Sequence, residues 1–367
     1  MRAASRRPDR FVRELFARGV DERWRAALVG GAGSVALCVM SEVLPREGRA
    51  HGDDLIYEDM ARAPFGTHTF PFGFRLGLPL LVHVSPLAHP ASFLVLAWLA
   101  AGGAAAFAYL LMRELGASPR VAALLALLMS VSPPFLVVAL RHGRNPDIAT
   151  VFLMMAATYF AVARKKVSFA VTLLLGVVVR EAVLFIAPLA YALWAVRPLD
   201  RAAARDVLAC AAPAIIVYAA IRTQVATVGE AQVPGYGGSL LGDPETVVRS
   251  VLSSPGQTLR RLFTTYGPLW FLAPLALATM TFARRGLVLV ALSLVAMLYA
   301  SDWGRMILLA APVFYPASAH VLDRHPSWRP AAFGAFAALV VVYALYMGLS
   351  GVQSGIIDAG PPPYPVR

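Results

Sequence analysis

The sequence predicts an all-α polytopic membrane protein with about 11 transmembrane helices (approximate count) and short interfacial helices in an outer loop. Three observations predict it. Of 367 residues, 58% are hydrophobic and 15% charged, against roughly 45–50% and 25% in soluble domains. Apolar runs long enough, or nearly long enough, to cross a bilayer recur along the chain. Basic residues gather in alternate turns between those runs, the pattern that fixes orientation in a bilayer.

The same composition excludes a disordered chain, which could not stay solvated with so much apolar surface. Cys38 and Cys210 both lie inside apolar runs, so neither a disulfide framework nor a cysteine-based zinc site is expected. A net charge of +12 would point a soluble protein towards nucleic acid. Here cytoplasmic loops facing anionic lipid account for the charge, and no nucleic-acid partner is expected.

The elements follow in order. Residues 1–25 form a basic arm, and Arg2, Arg6, Arg7, Arg10, Arg13, Arg18, Arg23 and Arg25 place the N-terminus in the cytoplasm. No signal-peptide cleavage site follows, so the first span is expected to remain as an anchor. Spans are expected near 26–45, 92–112, 120–140, 148–163, 167–179, 182–196, 206–223, 266–283, 286–300, 306–321 and 331–349. The runs 167–179 and 182–196 also read as one broken run. Cytoplasmic turns carry Arg113 and Arg120, then Arg164, Lys165 and Lys166, then Arg197, Arg201 and Arg205, then Arg284 and Arg285, then Arg324 and Arg329.

Residues 26–349 thus read as a single transmembrane domain in the cell inner (cytoplasmic) membrane, followed by a Pro-rich tail, 350–367. The outer face holds two long loops, 46–91 and 224–265, and the short turns 141–147, 180–181 and 301–305. Within the first loop, Pro71, Pro79 and Pro86 interrupt an apolar stretch that is too broken to span and is expected along the interface. Gly30, Gly31, Gly102, Gly103, Pro133, Pro134 and Pro188 are expected to serve close packing and kinks.

Ionisable groups at a membrane boundary are costly and mark functional candidates. Four clusters fall on the outer face: Asp53-Asp54 with Tyr57, Glu58 and Asp59, followed by Arg75; Arg141, His142, Arg144, Asn145 and Asp147; Arg180-Glu181; and Asp302 with Arg305. The paired carboxylates Asp53 and Asp54 suit a general base or a divalent-cation site, whereas Glu58 and Asp59 are expected to solvate the loop. Arg75, Arg141, Arg144, Arg180 and Arg305 could surround one phosphate. Alternatively each pairs with a nearby acid, Arg144 with Asp147, Arg180 with Glu181 and Arg305 with Asp302. Arg180 and Glu181 are adjacent and would not face each other on a helix, so different partners are expected for them. His51, His68, His83, His89 and His142 show no close ligand spacing for zinc.

The order Asp53-Asp54-Leu-Ile-Tyr57-Glu-Asp-Met-Ala61 resembles the first outer loop of the GT-C glycosyltransferases, which include the aminoarabinose transferases and protein O-mannosyltransferases. Phe74-Arg75-Leu-Gly-Leu-Pro79, Asn145-Pro-Asp147, Gly176 to Arg180-Glu181 with Pro188 beyond, and Asp302-x-x-Arg305 with Pro312 beyond are similar to stretches of its small bacterial members. The resemblance touches residues 50–320 and rests on shared order and sidedness. It implies an inverting transferase that moves a sugar from a polyprenyl-phosphate-linked donor to an acceptor hydroxyl of a glycan, lipid or protein in envelope assembly. Asp53 would be the general base, with Asp54 as second candidate or cation ligand. Tyr57, Arg75, Arg141, Arg144, Asp147, Arg180, Glu181, Asp302 and Arg305 would bind the donor. No cofactor is implied beyond a possible divalent cation.

Two features depart from the family pattern. The second acid is Asp54 rather than the usual Glu, and a short Pro-rich tail stands where many relatives carry an outer domain, leaving loop 224–265 for the acceptor. A lipid-linked sugar flippase would also use arginines and broken helices, but with charges at mid-membrane. A non-catalytic membrane subunit would tolerate loss of Asp53 and Asp54.

Overall fold

The computed structural model describes residues 8–44, 53–140, 143–228, 248–249, 252–253, 255–297 and 303–350. His51, Arg141, His142, Asp302, most of loop 224–265 and the tail beyond 350 lie outside the described residues. For Asp53 the description extends to its place at the start of a helix.

The chain opens with α1 (Pro8–Val43), then α2 (Asp53–Arg62), strand β1 (His68–Thr69), a 3-10 turn (Phe72–Phe74) and α3 (Gly77–His83). Next come α4 (His89–Glu114), α5 (Pro119–Ser130), α6 (Pro133–Leu140), α7 (Asp147–Val162) and α8 (Lys166–Val179). A second 3-10 turn (Glu181–Phe185) leads into α9 (Ile186–Trp194), α10 (Arg201–Gln224) and strand β2 (Thr227–Val228). The remainder is α11 (Pro255–Tyr266), α12 (Leu269–Leu275), α13 (Thr281–Met297), α14 (Trp303–Leu308), α15 (Ala311–Arg324) and α16 (Arg329–Ser350).

The fold is all-α, as the composition predicts. Among the described residues five helical stretches are long and apolar enough to cross a membrane: Asp21–Val43, His89–Glu114, Pro119–Leu140, Arg201–Gln224 and Pro326–Leu345. The other expected runs form shorter or broken helices. The 14 residues of α8 make about 21 Å of helix, short of the roughly 30 Å hydrocarbon core. The run that reads as either one or two is broken at Arg180, whose backbone is extended (φ −162°, ψ 133°). Pro188 falls in the first turn of α9, where its missing N–H leaves no bond unmade.

Glycine brings α1, α4 and α7 together. A Cβ on Gly102 would come within 2.7 Å of the Gly30 carbonyl oxygen, and one on Gly103 within 2.7 Å of the Phe152 ring. Ser34 Oγ donates to the Trp98 carbonyl across the same crossing at 2.8 Å. Gly31 instead faces open space, so it has no packing role here. Gly102→Ala is expected to push α1 from α4 and lower stability by about 1–3 kcal/mol, read as a lower melting temperature in detergent.

One end of the bundle is fixed by side chains that cap helices. Asp323 on α15 accepts from the Ser118 backbone N–H at 2.5 Å and its hydroxyl at 2.6 Å, closing the start of α5. Arg285 donates to the Leu193 carbonyl at 2.8 Å, satisfying the end of α9. At the opposite end, Gly143 closes α6 with its N–H on the Val138 carbonyl at 2.9 Å and a left-handed φ of +64°. A Cβ there would meet Ala97 Cβ at 2.9 Å and the Phe93 carbonyl oxygen at 3.2 Å. The turn before α7 is thereby set beside 93–97, a turn or more inside the start of α4.

The segment 53–83 folds over this second end. β1 pairs in parallel with β2, His68 opposite Thr227 and Thr69 opposite Val228, so the first long loop is bound to the chain leaving α10.

Candidate functional site

Five segments deliver charged side chains to the end of the bundle covered by 53–83. Each polar turn sits where an apolar helix starts or stops, so the backbone can leave the helix and aim its side chain inward. Arg75 follows the aromatic 3-10 turn and is buried. Its Nε and Nη2 donate to the two carboxylate oxygens of Glu181 at 3.2 and 2.8 Å, and its Nη1 donates to the Tyr57 hydroxyl at 3.2 Å. The Phe72 ring lies 5.4 Å from the same guanidinium and packs edge-on against Tyr57. Arg75 therefore joins α2, the aromatic turn and the 3-10 turn before α9.

Arg144, 6% exposed as a side chain, sits in the turn before α7 and reaches Glu58 on α2 at 2.8 Å. The other oxygen of Glu58 accepts from Arg62 at 2.7 Å. Asp147 opens α7, where the helix dipole favours a carboxylate, and it is 2% exposed. Arg180 binds one of its oxygens, and Arg305 Nε from α14 lies 2.6 Å from the other. Asp147 thus bridges two guanidiniums, as Glu58 does.

This arrangement separates the two expectations for the arginines. None of the sequence-neighbour pairs Arg144–Asp147 or Arg180–Glu181 is present: Arg144 holds Glu58, Arg180 holds Asp147, and Arg75 holds Glu181. Arg180 and Glu181 have different partners because the extended backbone at Arg180 sends adjacent side chains to opposite sides. The third neighbour pair, Arg305 with Asp302, cannot be compared because Asp302 lies outside the described residues. Glu58, expected to solvate the loop, instead bridges Arg62 and Arg144, whereas Asp59 is 71% exposed as expected. Asp54 is buried. Arg141 lies outside the described residues, as does the side chain of Asp53.

Burial of the Glu181 carboxyl acts to raise its pKa, but the Arg75 guanidinium outweighs burial and holds it at about 2. Burial acts to lower the Arg75 pKa, and the Glu181 and Tyr57 contacts reverse this to a net rise. The pair is therefore ionised at physiological pH. Its stabilising contribution is complete above the ordinary carboxylate range and is lost as pH falls towards 2.

The paired arginines still have open donors. Nε and Nη1 of Arg144 and Nε of Arg180 are buried and find no hydrogen-bond partner among the described residues. Buried guanidinium N–H groups left in this state are costly. Four guanidiniums (Arg75, Arg144, Arg180, Arg305) pair with three carboxylates (Glu58, Asp147, Glu181), two of which, Glu58 and Asp147, each bridge two arginines, and donors remain to spare, an environment suited to an incoming anion.

Two histidines, His68 and His83, tie down the end of α2. His68 Nε2 lies 2.8 Å from the Ala63 carbonyl oxygen and His83 Nδ1 lies 2.9 Å from that of Ala61, both at the end of α2. Among the described residues no three His, Cys, Asp or Glu side chains gather as a metal-binding group.

Sequence reasoning missed Glu58 as a bridge, Met306, whose sulfur accepts from Arg180 Nη2 at 3.7 Å, and Arg222, which stacks beside this site. The i to i+4 spacing of Glu58 and Arg62 on α2 was the one local sign that Glu58 was engaged. No family model matches the chain, and no curated protein matches it in sequence.

Proposed function

We propose that the protein is an inverting GT-C-type glycosyltransferase that uses a polyprenyl-phosphate-linked sugar. The observation that carries this reading is the set of buried, open guanidinium donors on Arg144 and Arg180, with Arg144 tied through Glu58 to α2, the helix that Asp53 and Asp54 open. In this reading the donor phosphate is held by Arg75, Arg144, Arg180 and Arg305. Asp53 takes the proton of the acceptor hydroxyl, whose oxygen attacks the anomeric carbon from the face opposite the phosphate. The bond from that carbon to the phosphate oxygen breaks, and polyprenyl phosphate leaves with the electron pair. The guanidiniums stabilise the charge that grows on the departing phosphate.

The full reading has about 11 spans (count approximate), with the shorter helices completing the bundle. The N-terminus is cytoplasmic, the arginine cluster faces outward from the cytoplasmic membrane, and the acceptor is an envelope glycan, glycolipid or protein. A broken helix at Arg180 is a feature that transporters also use, which keeps a lipid-linked sugar flippase as the second reading. The charges here lie where helices start and stop, which favours chemistry at the membrane surface over passage through its centre.

The test supplies purified protein with a panel of polyprenyl-phosphate sugars and candidate acceptors, and follows polyprenyl phosphate release. Release with sugar transfer is expected. Movement of intact donor across reconstituted vesicles, without release, would identify the flippase instead.

A further inference from the structure

We propose that Arg222, with the rings of Phe70, Phe74 and Tyr218, forms a docking site for the phosphate headgroup of a membrane lipid at the edge of the arginine cluster. Arg222 lies in the last turn of α10 and is solvent-exposed. Its guanidinium sits 4.3 Å from the Phe74 ring centroid and 5.5 Å from those of Phe70 and Tyr218. Rings that stack on the flat face of a guanidinium fix its plane while leaving its edge N–H groups free to fork onto an anion. Among the described residues no carboxylate pairs with Arg222. Arg75, Arg144, Arg180 and Arg305 each already hold one. An arriving phosphate therefore meets at Arg222 a charge that no described carboxylate holds, whereas deeper in it must share guanidiniums with carboxylates.

The position on α10 identifies the source of the phosphate. Leu208, Ile215 and Arg222 are spaced by seven residues, nearly two turns, and so share one face of the helix. Leu208 is 61% exposed and Ile215 46%, on a helix apolar enough to span a membrane. Arg222 thus ends an exposed apolar stripe, where a lipid chain would lie with its headgroup against the cation.

The aromatic turn links this place to the cluster. Phe72 faces Arg75 on one side, while Phe70 and Phe74 face Arg222 on the other. Pairing of β1 with β2 holds the end of α10 against that turn, and Gly73 permits the approach, since a Cβ there would lie 3.0 Å from Thr227 Cγ2.

The proposal rests on the phosphate-binding part of the reading above and needs no catalysis. Purified full-length protein, wild type, Arg222→Gln and Arg222→Lys, is titrated with polyprenyl phosphate and, separately, with inorganic phosphate. Arg222→Gln is expected to weaken polyprenyl phosphate binding about tenfold, and Arg222→Lys by less, because an ammonium cannot stack and fork together. Inorganic phosphate is expected to bind more weakly than the lipid. Equal affinity in wild type and Arg222→Gln, no binding by wild type, or inorganic phosphate binding as tightly as the lipid would each overturn the proposal. If Arg222→Gln folds poorly, Phe74→Leu keeps the charge, removes the platform, and is expected to weaken binding; unchanged affinity there also overturns it. Unchanged affinity with sugar transfer intact sinks this site alone. Arg222-dependent binding without any transfer sinks the transferase reading alone.

Discussion

Asp147→Ala is expected to destabilise the protein by about 3–5 kcal/mol, because removing one partner leaves a buried charge uncompensated. Two guanidiniums lose a carboxylate at once: Arg180, itself buried, and Arg305. Asp147 also opens α7, so the helix loses a favourable charge at its N-terminus. Asp147→Asn should be milder, since the amide oxygen can still accept from one arginine. The expected sign is a large fall in melting temperature and in folded yield for the alanine variant, with the asparagine variant between it and wild type. A melting temperature unchanged by Asp147→Ala would mean that Arg180 and Arg305 do not depend on this carboxylate.

Asp53→Asn is expected to lower the rate of sugar transfer by about 10²–10⁴-fold, the usual contribution of a positioned general base, while leaving the melting temperature near that of wild type. Asparagine keeps the shape of the side chain and cannot take a proton. The size of the loss should not depend on donor concentration if the residue acts in the transition state. Asp54→Asn should cost less if Asp54 supports rather than performs proton removal. Unchanged transfer in both variants would place the base elsewhere.

Local patterns in the sequence suffice for part of this architecture. The all-α class, the helical runs, the break near Arg180 and the close-packing glycines Gly102 and Gly103 are all visible in residue spacing and composition. Helix length is less visible, because α7, α8 and α9 are largely apolar yet shorter than a bilayer core, and periodicity does not record length once turns interrupt it. The charged residues that gather at the site were also legible as a group, since each lies where an apolar run stops. Their partners were not. Arg75 and Glu181 are 106 positions apart, and a local reading offers only neighbours such as Arg180 for Glu181, which backbone geometry then turns away. Glu58 looked like one more acid on a solvated loop because nothing near it in sequence announces Arg144. Arg222 was hidden for the same reason, its aromatic partners Phe70 and Phe74 lying in a different loop.

If the open guanidinium donors form a phosphate site, binding of polyprenyl phosphate distinguishes wild type from Arg144→Gln. Nε and Nη1 of Arg144 are buried and have no hydrogen-bond partner among the described residues, and a hydrogen bond to a charged group is worth about 1.5–3 kcal/mol. Binding is expected to be weakened by roughly 10- to 150-fold in the variant, at a melting temperature that shows it to be folded. Equal affinity in the two proteins would contradict it.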